Sequence, residues 1–355
     1  MSPRISFAIE RLTRMTESER ASLEHLIKIA NSDIGQCRTV AYEKTTIARL
    51  TSQLAVELET ASTAVVRLDE QVGRLGRVGE GYRTRSDFQE ACALRAIAGE
   101  LVPIDDLVLV DAGSPIRLPT IELTRARIVL QARRSAAARP PAWAWSDEAL
   151  FEDRLVNVTR DELLKALGDI EWDEDERSDQ WREILAGLPA MPVMLQAAVA
   201  WDAWLQIEPL HGGAWRAALV AAAVMRAGGL TLHHQFALGI GARKSRYRYD
   251  ARSPLEQRVA GFLDWVKAGA TQGQDELKRL SLALQVLGQV TQSKHVDSRL
   301  PALVDMVISR PLISAEIAQR ELKLTSTGFR RLLKQLGTSV KELTGRRRYQ
   351  VWGIL

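Results

Sequence analysis

Between Thr45 and Leu75 the apolar residues Leu50, Leu54, Val56, Leu58, Ala61, Val65 and Leu68 recur at helical spacing, with Glu57, Glu59, Arg67, Asp69 and Glu70 beside or opposite them. The pattern predicts an amphipathic helix that packs on its own core or pairs with a second copy. From Ser86 to Gly99 an Ala-rich stretch predicts a helix closed by the glycine, and Asp105-Asp106 can start the next. Pro119 to Arg134 predicts another, with Thr120 as N-cap and Glu122 in its first turn. Ala136 to Ala142, with Pro140-Pro141, predicts a surface linker. The acidic run from Asp161 to Glu183 predicts a solvated loop, because nothing apolar surrounds its carboxylates to shift a pKa. Arg216 to Arg226 is apolar on every side, which predicts a buried central helix with Trp201, Trp204 and Trp265 packed around it.

The text changes at Leu300. Pro301 to Ile308 predicts a helix stopped by Pro311, and Ser314 caps a second helix through Leu322. Lys323-Leu324-Thr325 makes a turn, and Thr325 caps a third helix, Ser326 to Leu336, ended by Gly337. Val340 to Thr344, a turn at Gly345-Arg346 and a return through Trp352 predict a β-hairpin. Ile317, Leu322, Leu324, Phe329, Leu332, Leu333 and Leu336 supply the apolar contacts by which two short helices cross steeply, as in a helix-turn-helix. Ala318 to Thr325 holds one residue more than the commonest spacing, which predicts a looser turn.

Charge sharpens this picture. The chain carries a formal net charge of +4. Lys323 to Tyr349 holds eight basic residues and one acid, so that window is +7 and the remainder about −3 by subtraction. Such asymmetry points to an anionic partner for the C-terminus. Cys37 and Cys92 have no metal or redox spacing, favouring a reduced, cytoplasmic setting. The longest uncharged run, Ile184 to Trp201, is broken by Pro189 and Pro192, which argues against a membrane span. His233-His234 lacks a third ligand at metal spacing. No cofactor or metal is expected.

Trp201 to Arg216 predicts a helix, a tight loop at Gly212-Gly213 and a second helix whose first amides could hold an anion. In this stretch Ile207, Pro209, Gly213 and Arg216 match the pattern of Fic domains, in which a helix runs into His-Pro-Phe, an acid, Gly-Asn-Gly-Arg and a final Arg. Glu208 stands at the place of the catalytic His, Leu210 at the Phe, Gly212 at the metal-binding acid, Ala214-Trp215 at Asn-Gly, and Leu219 at the last Arg. Trp201, Trp204, Arg246 to Tyr249 and Phe262 to Trp265 are similar to the surroundings of that motif, and Ala98 occupies the position of an inhibitory Glu. The chain thus resembles a Fic scaffold that has lost its chemistry. The resemblance implies no catalytic residues, with Gly213 and Arg216 as a residual anion site.

Helix-turn-helix plus hairpin resembles a winged helix, and Leu343 to Tyr349 is similar to the wing that ends many Fic-like proteins. The C-terminal section also looks like the helix-turn-helix attached to a rhizobial family of otherwise unknown function. The expectation is therefore a mostly α protein in three parts: an N-terminal helical segment (1–80), a degenerate Fic-like helical domain (81–295) and a winged helix-turn-helix (298–355). Ser326, Thr327, Arg330, Arg331 and Lys334 would enter a major groove of double-stranded DNA, and Arg346, Arg347 and Arg348 would reach phosphate or minor groove. The function expected is a DNA-binding transcriptional regulator. Two rivals stay open: a nucleotidyl- or phospho-transferase working through Glu208 or His211, and an antitoxin-like adaptor for a protein partner. Such regulators commonly bind as dimers, so a homodimer stays open too.

Overall fold

The computed structural model describes residues 42–113, 120–154, 174–210, 212–292, 299–344 and 350–354. All of them belong to one compact unit, Tyr42–Leu355. The structure is mostly helical, as the periodicity predicts.

The N-terminal stripe forms two helices, α1 (Lys44–Gln53) and α2 (Ala55–Arg74), parted at Leu54. Leu50, Leu54, Leu58, Ala61, Val65 and Leu68 are buried, but Val56 is 71% exposed. The buried positions keep their three- and four-residue spacing across Leu54, and Val56, about 200° around the helix from both Leu54 and Leu58, falls on the opposite side. α2 packs on the long helix α11 (Leu255–Gln292) of its own chain. Between them in sequence come α3 (Arg77–Ile97), α4 (Ile104–Asp111) and α5 (Ile121–Ala138), the last capped by Thr120 Oγ1 accepting the Leu123 N–H at 3.2 Å.

Two expectations fail here. The Pro140-Pro141 linker is instead a 3-10 turn, Pro141–Trp145, that buries Trp143 and Ala144. The two prolines are compatible with the first turn of a helix, where no N–H is needed. The acidic run, where described, is helix α7 (Glu174–Ala186), not loop. Its acids stand at the helix start, where the dipole favours them. One large residue, Trp181, anchors it by burying its ring edge-on against Trp204 (5.2 Å between centroids) and donating Nε1–H to Ala200 O at 3.2 Å. Helix α6 (Asp147–Arg154) lies between these segments.

The centre is helix α8 (Val193–Ile207) packed on α9 (Arg216–Ala227). Ala217 to Met225 are all buried, as expected of a helix apolar on every side. Helix α10 (Leu238–Lys244) then lies so close to α11 that a Cβ on Gly241 would fall 1.9 Å from Trp265 O. Only glycine permits that approach. Trp201 meets Trp265 edge-on at 5.2 Å and Tyr249 at 5.0 Å, completing an aromatic core.

Buried charges join the helices. Asp202, wholly buried on α8, accepts Arg258 Nε–H (2.7 Å) and Nη2–H (2.8 Å) from α11 and the Tyr42 hydroxyl at 2.8 Å. Asp69 accepts the N–H groups of Leu232 (2.8 Å), His233 (3.0 Å) and His234 (3.2 Å) and pairs with His234 Nδ1 at 2.6 Å. His234 is thus held as part of the scaffold. Glu90 accepts Gly239 N–H (2.7 Å) and Ile240 N–H (2.8 Å) at the start of α10.

The C-terminal section is α12 (Leu300–Ser309), β1 (Ile313–Ser314), α13 (Ala315–Leu322), α14 (Ser326–Gln335), β2 (Lys341–Glu342) and β3 (Val351–Gly353). The expected hairpin partners β2 and β3 do pair antiparallel, and β1, too short to announce itself, adds a third strand in the order β1-β3-β2.

Candidate nucleic-acid interface

The interface is built from Ser314 onward. Ser314 Oγ accepts the Ile317 N–H at 3.2 Å and starts α13. At the end of that helix Lys323 takes a left-handed conformation (φ 52°), turning the chain. Thr325 Oγ1 then accepts the Gly328 N–H at 3.1 Å and starts α14. The looser turn expected from the Ala318 to Thr325 spacing is held at both ends by these devices.

Phe329 anchors α14. It is fully buried and meets Trp352 of β3 edge-on, 5.2 Å between centroids. Leu336 is buried on the same side. At 100° per residue, Ser326, Thr327, Arg330, Arg331 and Lys334 fall within about 140° of one another on the other side. All five are exposed. Among the described residues, no carboxylate lies within 4.0 Å of Arg330, Arg331 or Lys334. Their charges face solvent unneutralised, whereas Arg310 in the same section is paired with Glu321 at 2.7 Å. The structure therefore gathers onto one face all five candidates from this helix. Arg346, Arg347 and Arg348 lie outside the described residues.

What holds this section to the helical body was not foreseen from sequence. Arg85 of α3 is buried and donates Nε–H to Ile308 O (3.2 Å) and Nη2–H to Val307 O (2.7 Å), the last carbonyls of α12. These carbonyls have no intrahelical donor, so the guanidinium both satisfies them and suits the negative end of the helix dipole. Burial lowers the Arg85 pKa to about 10, which still leaves it charged at neutral pH. Glu276 of α11 stands 3.8 Å from Arg85 and 2.6 Å from Arg279, and Arg279 Nη1–H reaches Ile354 O at 2.8 Å. Gly81 lets α3 touch the end of α12, since a Cβ there would fall 2.3 Å from Ile308 O. Charged residues inside a helix carry no sequence signal that tells an interior clamp from a solvated side chain.

The central loop has a different role from the one expected. α8 ends at Glu208, which is left-handed (φ 51°), and Gly212 adds a second positive φ of 69°. Gly213 N–H donates to Leu210 O at 2.9 Å, and the first amides of α9, on Arg216 and Ala217, donate to Gly213 O (2.9 Å) and Ala214 O (3.2 Å). The Arg216 side chain is fully buried, with Nη1–H on Ala144 O (2.8 Å) and Nη2–H on Ala149 O (3.0 Å). Of the two residues expected to hold an anion, Gly213 closes a turn with its amide, and Arg216 ties α9 to the 3-10 turn and α6 with its guanidinium. His211 lies outside the described residues.

Comparison with known proteins gives two family matches and one curated relative. Residues 166–292 match the family described as Protein of unknown function (DUF1612), and residues 300–355 match an HTH DNA binding domain. The protein y4cF of Sinorhizobium fredii (strain NBRC 101917 / NGR234), an uncharacterized protein, is 31% identical over 367 residues, which cover 83% of this chain and 95% of that one. The chain belongs to the same family as y4cF. The first match includes α7 to α11, hence the Asp202–Arg258 pair and Arg216, whereas their partners Tyr42, Ala144 and Ala149 lie before it. The second begins at α12 and contains the whole basic face, so the likeness to an HTH DNA binding domain falls on the section built around α14. No described helix is long and apolar enough to cross a membrane.

Proposed function

We propose that the protein is a transcriptional regulator. Its C-terminal part (298–355) acts as a winged helix reading double-stranded DNA, and its body (81–295) is a catalytically silent, Fic-like scaffold or sensor. One observation carries this reading: α14 presents Ser326, Thr327, Arg330, Arg331 and Lys334 together on an exposed face without acidic neighbours within 4.0 Å among the described residues. A helix capped by Thr325 and backed by Phe329 and Trp352 is stiff enough to lie in a major groove. The strand order β1-β3-β2 supports a wing between β2 and β3, where Arg346, Arg347 and Arg348 stand in sequence. The inward-facing Arg216 supports a scaffold role for the loop between α8 and α9.

The test is fluorescence anisotropy with mixed genomic DNA fragments at 50 and 200 mM salt, wild type beside Arg330→Ala/Arg331→Ala. Wild type should bind at micromolar concentration or tighter. Two lost phosphate contacts lower the slope of log K against log salt by about 1.8, so the fourfold rise in salt costs the variant about 12-fold less affinity than it costs wild type. Absence of binding at 50 mM salt, or equal binding by the variant, refutes the reading.

A further inference from the structure

Beside the aromatic core lies a half-open cavity of about 700 Å³ whose lining includes Trp201, Trp215, Trp265, Tyr249, Arg243 and Arg248. That volume is within the range of small-molecule sites, and the composition is theirs too: a mainly apolar wall with a few polar groups. The aromatic wall is fixed in place. Trp201 is held edge-on between Trp265 (5.2 Å) and Tyr249 (5.0 Å), and Trp265 donates Nε1–H to Tyr247 O at 3.2 Å.

The two arginines give the cavity its sign. Both are exposed, and among the described residues neither has a carboxylate within 4.0 Å. Arg248 is nevertheless positioned, because its Nη1–H groups are anchored on Ser245 O (2.7 Å) and Tyr247 O (2.8 Å). A guanidinium beside an aromatic wall recognises a flat apolar body carrying an anionic group, through charge-assisted hydrogen bonds at one end and stacking at the other.

We infer that this cavity is a binding site for a small aromatic anion, such as an aromatic carboxylate. The site is separate from the DNA-facing surface of α14, and nothing in its recognition depends on DNA. Occupancy would nevertheless bear on α3, since Ala96 and Ile97 at the end of that helix line the cavity while its Arg85 grips α12.

The full chain can be titrated with 8-anilino-1-naphthalenesulfonate, an aromatic anion, and with N-phenyl-1-naphthylamine, its uncharged counterpart. Probe fluorescence excited through tryptophan is the readout. The expected result is saturable binding of the sulfonate at one equivalent. It should weaken about tenfold or more in Arg243→Ala/Arg248→Ala, the loss of one charged hydrogen bond or more, while the uncharged probe is unaffected. Ala98→Trp, an exposed position in the lining, places an indole in the cavity and should weaken both probes with the melting temperature unchanged. Unsaturable binding, a sulfonate affinity indifferent to the arginine change, or equal binding by a correctly folded Ala98→Trp overturns the inference. None of these results depends on whether the protein binds DNA.

Discussion

Replacing Asp202 should cost more than any surface change in this chain. Its carboxylate lies fully buried between α8 and α11, with two bonds from Arg258 at 2.7 and 2.8 Å and one from Tyr42 at 2.8 Å. Burial and the neighbouring Asp202 charge push the Tyr42 hydroxyl well above its usual pKa, so it stays a donor at any working pH. Burial would lower the Arg258 pKa, but its hydrogen bonds to Asp202 hold it above the usual value. Asp202→Leu leaves a buried guanidinium without its counter-charge, at a cost of about 3–5 kcal/mol. For a unit of roughly 300 residues the unfolding entropy is about 0.6 kcal/mol per degree, so the melting temperature should fall by about 5–8 °C. Arg258→Met should cost a similar amount. The double variant should cost less than the two single changes added together, by about 2 kcal/mol or more, because no lone charge remains inside. Urea unfolding of the four proteins measures this coupling. If the single variants lose under about 1 kcal/mol, or the changes add within about 0.5 kcal/mol, the pair does not hold α8 to α11 as described.

Two further outcomes follow from the same geometry. Burial would raise the Asp69 pKa, but His234 and the backbone amides of Leu232 and His233 outweigh it and hold the carboxyl below its usual value. The stability it contributes is therefore present above about pH 4 and lost as pH falls through the lowered pKa, so the gap between wild type and Asp69→Asn in urea midpoint should be constant near neutrality and close in acid. Lys323→Gly should raise stability by up to about 1 kcal/mol by relieving the left-handed φ of 52°, with Lys323→Ala as the control that removes the charge alone; a lower urea midpoint for the glycine variant refutes the strain.

Local chemistry made the C-terminal section readable. Thr120, Ser314 and Thr325 cap helices as their spacing predicts, and the exposed arc of α14 follows from its own periodicity. Capping and amphipathicity are decided within a few residues, so sequence carries them. The errors arose where distant partners decide. The acidic composition of 174–186 conceals a helix because its fold depends on Trp181 finding Trp204. Arg216 reads as an anion ligand and Arg85 gives no signal at all, yet both serve carbonyls on segments far away in sequence. Two-residue strands such as β1 have no periodicity to detect, and their pairing exists only once β3 is in place.

That last pairing has a consequence for folding. The middle strand of the sheet comes last in sequence, and Ile313 must wait for Trp352 before either is satisfied. Closing so long a loop is slow compared with forming α13 and α14, whose contacts are local. The two helices therefore form early as a loosely backed pair, and Phe329 lacks its edge-on contact with Trp352 until β3 arrives. During synthesis this leaves an interval in which a basic, half-apolar helix is exposed before the body has fixed its orientation. A chain stopped short of Val351 would remain in that condition, able to attract anions and to aggregate but not to present α14 at a defined angle.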